Sequence, residues 1–458
     1  MSGDPYRLSA TEARQKILAG ELTSEELVSS CCRRFEETES NVKAWVVFDK
    51  KKALAAARQV DQKIAKREAP PGLLAGVPVG VKDVFNTADF PTCMGSPIWE
   101  GFTPGNDARV VFYMRQEDAV IPGKTTTAEF AVHAPSKTVN PHNPAYSPGT
   151  SSSGSAAAVA MGHVPLATGT QTAGSIIRPA SYCGVFGYKP TFGVIPRTGI
   201  LKTTDSLDTV GMFARSVDDL EMLFEVMRVH GRNFPMVHRY LENQELQTKR
   251  PQEPWKVLLV SDSLEVWQHA DPYAKKALLE FANQLAGEGV LVETKPLPPD
   301  FNEAHRIHSV IYDKTLAYYF KEEYKKHTLI SNIMYEIISR GQNITLDQYK
   351  QALEEQEQLS RKTDELFAEG YDAILALSTS GQAPKYGGDD KPDSALIWTL
   401  CGNPSINVPL FKSPARLPFG LQVVGRRYRD YRLFHLARMI EQKFLAAFDS
   451  ERQKVLSS

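Results

Sequence analysis

At 458 residues, with 42% hydrophobic and 23% charged side chains, the chain has the length and balance of a folded globular protein, enough for one large α/β domain or two or three smaller ones. Its 53 basic and 54 acidic residues leave a formal net charge of −1, so nothing marks nucleic acid or an anionic membrane as the main partner. No apolar run approaches the roughly 20 residues of a membrane span, and residues 1–20 lack the apolar centre of a signal peptide, so the cytoplasm is the expected location.

The N-terminal part reads as helical. Ser9-x-x-Glu12 and Thr23-x-x-Glu26 have the form of capping boxes, and Leu27, Val28, Cys31, Cys32 and Phe35 recur at helical spacing behind the second. A further helix is expected over 51–66, ended by Pro70-Pro71-Gly72. A strand over 77–84 follows, with Val77, Val79 and Val81 on one face and Pro78, Gly80, Lys82 and Val84 on the other. Gly80 would leave space beside the stem of Lys82. Lys82 has two readings, a surface residue whose head reaches solvent or a buried base whose pKa burial lowers.

Residues 107–146 read as short apolar strands separated by polar turns, with 119–124 and 130–133 as the clearest. The stretch 147–190, SPGTSSSGSAAAVAMGHVPLATGTQTAGSIIRPASYCGVFGYKP, stands apart. Ser151, Ser152 and Ser153 lie between Gly149 and Gly154, and Ser175 follows Thr172-Ala173-Gly174. Glycine lets backbone N–H groups approach a ligand unobstructed, which an oxyanion site needs. The thin residues 155–161 suit a buried helix, and 164–167 a strand leading into the second loop. A flexible Gly/Ser linker is the competing reading, but apolar runs follow both loops.

Beyond it, a helix is expected over 217–229, a polar surface connection over 243–254, a strand over 256–260, a helix over 271–288 and a strand over 290–294. Helices dominate 301–368. Strands over 371–377 and 421–424 and a helix over 429–447 complete the α/β pattern. The five cysteines, Cys31, Cys32, Cys93, Cys183 and Cys401, are too scattered for a disulfide framework. His305-x-x-His308 has helical metal-ligand spacing, yet no acidic or cysteine partner accompanies it, so no metal is expected. His142 lacks an aspartate placed to orient it as a triad base.

The PGTSSSGSAAAVA and GTQTAGSIIRPASYCGVFGYKPTFG blocks, together with GVPVGVKD at 76–83, CGNPSINVP at 401–409 and LPFGLQVVGRR at 417–427, resemble the amidase signature family of serine hydrolases. The resemblance spans nearly the whole chain and is thinnest over about 225–370. It implies one domain over 1–458, an α/β fold with a large mixed central sheet flanked by helices, and a variable region over about 225–395 shaping the substrate pocket. It further implies a Ser-Ser-Lys triad, with Ser175 as nucleophile, Ser151 as bridging serine after a cis Thr150-Ser151 peptide, and Lys82 as base. Backbone N–H groups of Thr172, Ala173, Gly174 and Ser175 would hold the oxyanion.

Four departures from the commonest family pattern bear on specificity: Gln171 for an Asp, Ala173 and Thr150 for glycines, and Arg178 three rather than two residues after Ser175. The implied activity is hydrolysis of a carboxamide or related C–N bond without a cofactor. An ammonia-releasing component of a glutamine-dependent amidotransferase and a non-catalytic binding protein are the alternatives. The expected partner is a small-molecule amide, with a homodimer left open and, for the amidotransferase alternative, a partner protein required. His305, His308, Tyr312, Tyr318, Tyr319 and Tyr324 are either acyl-pocket or core residues, and a pocket of such rings favours a small or aromatic acyl group.

Overall fold

The computed structural model describes residues 4–67, 69–230, 254–260, 265–388, 391–392 and 395–445. The polar connection expected over 243–254 lies almost wholly outside them. Both N-terminal capping boxes form: Ser9 and Glu12 start helix Ala10–Ala19, and Thr23 and Glu26 start Ser24–Val42. Each box satisfies otherwise orphaned N–H groups of a first helical turn. Asp49 caps the helix Lys50–Lys66 through the N–H of Lys52.

Among the described residues eleven strands form one mixed sheet. In chain order they are β1 Trp45–Phe48, β2 Val79–Lys82, β3 Gly123–Thr125, β4 Leu166–Gln171, β5 Phe186–Lys189, β6 Thr209–Ala214, β7 Lys256–Leu259, β8 Leu291–Thr294, β9 Ala373–Leu377, β10 Ser405–Lys412 and β11 Pro418–Val424. Across the sheet the order is β1-β3-β2-β4-β6-β5-β10-β11-β9-β7-β8. β2 runs parallel to β3 and β4, and β9–β7–β8 is parallel, while the centre from β4 to β9 is antiparallel throughout.

Side-chain alternation divides the strands between two apolar cores. Val257, Leu259, Leu375, Leu377 and Val423 join one core, whereas Leu258, Ile374 and Val424 join the other, beneath the helices Ala304–Tyr319, Asn332–Asn343 and Leu346–Ala368. Helices dominate the chain from 301 to 368, as expected, because its apolar residues recur on one face per helix.

Three expectations need correction. Residues 107–146 hold one strand, β3 at Gly123–Thr125, rather than a series: Arg109–Gln116 is a helix burying Val110, Val111 and Met114, and Glu129–Ala131 is a tight turn. Phe130 and Ala131 have φ of 47° and 58°, a left-handed backbone incompatible with the extended segment expected there. The strand at Lys82 also ends sooner than periodicity implies. The N–H groups of Val84 and Phe85 both turn back to the Lys82 carbonyl, so Val84 joins Val77, Val79 and Val81 in one core instead of sharing the Lys82 face. Nor does Gly80 leave an empty slot. A Cβ there would lie 3.1 Å from Thr125 Cγ2 and 3.3 Å from the Trp45 ring, so neighbouring side chains already fill the space.

Candidate active site

Lys82, at the end of β2, is completely buried, and its Nζ sits among three hydroxyls: Ser151 Oγ at 2.8 Å, Ser152 Oγ at 2.8 Å and Thr170 Oγ1 at 2.7 Å. Burial pushes its pKa well below the usual lysine range, with the Asp208 charge acting in the opposite sense. Asp83, just past the end of the strand, turns to a different partner. Its carboxylate lies 3.2 Å from Lys124 Nζ, both side chains fully buried. The Lys82 N–H donates to Thr168 Oγ1 at 3.0 Å, so Thr168 and Thr170, two apart on β4, present hydroxyls to the same lysine.

Ser151 precedes the helix Ser153–Ala160, and the Thr150-Ser151 peptide is cis, as the family resemblance implies. The helix is made of small residues because backbone crowds it. A Cβ on Gly154 would lie 2.3 Å from the Ala44 carbonyl oxygen and 2.4 Å from the Thr126 nitrogen. Ser152 has a different use from Ser151: its hydroxyl also contacts the Thr170 carbonyl at 3.2 Å and the Thr170 N–H at 3.3 Å.

Ser175 is 7% exposed and lies on the turn between β4 and the helix Ile177–Cys183. The turn is held from several sides. Gln171 Oε1 accepts the N–H groups of Ile176 at 2.7 Å and Ile177 at 2.9 Å, and its Nε2 donates to Thr399 Oγ1 at 2.8 Å. Thr399 Oγ1 donates to the Ala173 carbonyl at 2.7 Å. His308 Nε2 is 2.9 Å from the Thr172 carbonyl, and the Arg178 N–H donates to the Gly174 carbonyl at 2.9 Å. Thr172 Oγ1 donates to Asp208 Oδ1 at 2.8 Å. A trans peptide is planar, with its C=O and the following N–H pointing in opposite directions. Holding the carbonyls of Thr172, Ala173 and Gly174 therefore sets the directions of the N–H groups of Ala173, Gly174 and Ser175.

A cavity of about 470 Å³ opens beside Gly149 and Thr150, with Arg178, His133, His305 and Lys391 among its walls. Arg178 Nη1 is 3.4 Å from Thr150 Oγ1, so the shifted arginine faces the loop that carries Ser151. His133 is exposed to the cavity, yet its surroundings in the depth of the protein, then the Arg178 charge, push its pKa down. The aromatic residues expected near a pocket divide. His305 lines the cavity and His308 turns to Thr172, so the two histidines serve different surfaces. Tyr312 is buried against His308. Tyr318 is 69% exposed, Tyr319 bonds Asp205, and Tyr324 stacks on Tyr335, which leaves all three outside the cavity wall. His142 Nε2 donates to the Cys183 carbonyl at 2.9 Å.

Sequence reasoning misses Thr170, Thr399 and the partner of His308. For Thr170 a signal exists, since threonines two apart on a strand share a face. Thr399 meets the turn from 226 residues away, and no local pattern marks it.

The model of the amidase family matches residues 26–434. The chain belongs to the amidase family. It is thus an enzyme acting on carbon–nitrogen bonds, a hydrolase with a serine nucleophile. The A subunit of the glutamyl-tRNA(Gln) amidotransferase of Natranaerobius thermophilus is 30% identical to it, over 99% of each chain. Among solved structures, the peptide amidase of Stenotrophomonas maltophilia is 27% identical with a TM-score of 0.81, covering 95% of this chain and 96% of its own. The A subunit of the glutamyl-tRNA(Gln) amidotransferase from Thermotoga maritima is also 27% identical, with a TM-score of 0.80, covering 97% of this chain and 96% of its own. Within the amidase family the large mixed sheet is the shared architecture. Among the described residues no helix is long and apolar enough to cross a membrane.

Proposed function

We propose that this chain is the ammonia-releasing component of a glutamine-dependent amidotransferase, cleaving a primary carboxamide through Ser175, Ser151 and Lys82. The observation carrying the choice of amidotransferase is the 30% identity to the A subunit of such an enzyme over 99% of both chains. A protein partner then joins the small-molecule amide as expected company, and the cytoplasm remains the expected location. With basic and acidic residues nearly balanced, the chain itself has little to attract tRNA, which favours the partner for that contact.

In the proposed mechanism the Ser175 hydroxyl attacks the carboxamide carbon while its proton passes through Ser151 to neutral Lys82. Support comes from the 2.8 Å contact between Lys82 and Ser151, and from the burial that lowers the lysine pKa. A neutral amine has one lone pair and two N–H groups, so it accepts from Ser151 and donates to Ser152 and Thr170. The oxyanion lies against the N–H groups of Ala173, Gly174 and Ser175, with Thr172 holding the turn through Asp208. The C–N bond breaks as the relay returns the proton to the leaving ammonia. Water then attacks the acyl-enzyme carbonyl, giving its proton to the same relay; the bond from the acyl carbon to Ser175 Oγ breaks as the relay returns that proton to Oγ, and the carboxylic acid leaves. The region 225–395 supplies one wall of the cavity through His305, Ile333, Tyr386, Gly387 and Lys391.

A free-standing amidase is the second reading, favoured by the 27% identity and TM-score of 0.81 to a peptide amidase. Ammonia release from glutamine and from short aliphatic and aryl amides separates the two. The measurement compares the purified chain with the same chain isolated together with its native partners. Glutamine turnover only in the complex supports the amidotransferase reading. Steady hydrolysis of other amides by the lone chain, with none of glutamine in either sample, would replace it by the second.

A further inference from the structure

His308 comes from the helix Ala304–Tyr319, 136 residues beyond Thr172 in the chain, yet its imidazole reaches the turn carrying Ser175. A carbonyl oxygen only accepts, so the 2.9 Å contact with Thr172 requires a proton on Nε2. The ring is 4% exposed and stacks on Tyr312, one helical turn on, with centroids 5.4 Å apart and planes 25° apart. Tyr312, itself 5% exposed, lies 5.9 Å from the ring of His133 on the cavity wall. Packing therefore leaves the imidazole little freedom to swing.

The geometry points to His308 as a positioning residue for the oxyanion-stabilising turn: by holding the Thr172 carbonyl it aims the Ala173 N–H at the charge that develops on the substrate oxygen. The inference rests on the reading of Ser175 as nucleophile. The contact lies on the far side of a planar peptide, so His308 touches no reacting atom and acts through Ala173. Burial keeps the imidazole neutral, with its pKa pushed down to about 4, so the contact adds a dipole and no net charge beside the oxyanion. Thr399 does the same for the next peptide through the Ala173 carbonyl. Removing a whole oxyanion donor typically costs about 100- to 1000-fold in turnover. A donor that is misaimed but present is expected to lose less.

The test compares the full chain, with its native partners where turnover needs them, as wild type, His308→Gln and His308→Met. Met fills the volume without a donor, and Gln keeps an N–H. His308→Met is expected to lower kcat about 10- to 100-fold with KM within about threefold, and His308→Gln to recover most of that loss, because only the transition state uses the aimed N–H. Binding of a boronic acid, which forms a tetrahedral adduct on an active serine, should weaken by the same factor as kcat in His308→Met. Binding of the carboxylate product should not change. Equal activity of Met and Gln variants, or a loss confined to KM, overturns the inference. If His308→Met does not fold, Gln carries the test alone: kcat more than about 100-fold below wild type in a folded Gln variant overturns it. Fluorophosphonate labelling of wild-type Ser175 checks the parent reading separately, so a labelled Ser175 with unaffected His308 variants sinks only the positioning role.

Discussion

Lys82 is surrounded so closely that its protonation state becomes a property of its neighbours. Burial pushes its pKa well below the usual lysine range. As the proposed base it must be neutral, so kcat/KM should rise with pH along a limb below about 10.4 and then level off. A pH–rate profile in a folded enzyme whose limb sits at the ordinary lysine value would indicate a solvated amine and refute the role. Ser151→Ala should lower turnover about 100- to 10,000-fold, because it interrupts the proposed proton path. Thr170→Val should cost about tenfold or less, since Thr170 holds Nζ from the side without carrying the proton. Steady-state kinetics on the two variants checks the contrast, and equal losses would mean that Thr170 belongs to the relay.

The turn between β4 and the helix Ile177–Cys183 is an element held by side chains. Gln171 departs from the aspartate that the family resemblance implies, and its contacts explain how it serves. Its amide accepts two N–H groups beyond Ser175 and donates to Thr399, so a neutral residue meets three polar partners. Gln171→Ala leaves those two N–H groups buried and unpaired, which should destabilise the fold by about 2 to 5 kcal/mol. Urea unfolding measures it, and a loss under about 1 kcal/mol would show that the turn closes without Gln171. At the N-terminal helices the capping boxes are readable from a few residues each, because both partners of every bond lie within one turn. The segment 109–116 misleads for the converse reason: its apolar residues Val110, Val111 and Met114 suit a helix face, but the β-branched pair alone resembles a strand.

Across the whole molecule, buried histidines couple stability to acidity. His163 is 0% exposed and accepts the Trp45 N–H at Nδ1, and burial lowers its pKa to about 3; that of His308 falls to about 4. Both are neutral in the fold. Below their unfolded pKa near 6.5 the unfolded chain binds protons that the folded chain refuses, so their contribution is complete above that value. It is lost as pH falls from about 6.5 towards 4 for His308 and towards 3 for His163. The slope is about 1.4 kcal/mol per pH unit for each group. Urea unfolding of wild type and His163→Gln at about pH 7 and about pH 4.5 isolates one of them, with a smaller acid loss expected for the variant. Identical losses would place the acid sensitivity elsewhere.

What the sequence determined by itself was whatever is local. Glycine-flanked serines, a lysine on an apolar strand and periodic helices need only near neighbours; the resemblance of several ordered motif blocks to the amidase signature family then implied the large mixed sheet and the candidates Lys82, Ser151 and Ser175. Tertiary structure decided which partners those residues meet. The turn at Ser175 is held by Thr399 and His308, which are far away in the chain, and Lys82 gains a third hydroxyl from Thr170 on the neighbouring strand. The physical reason is that hydrogen bonds and desolvation depend on distance in space, whereas sequence periodicity reports only which face of its own element a residue occupies.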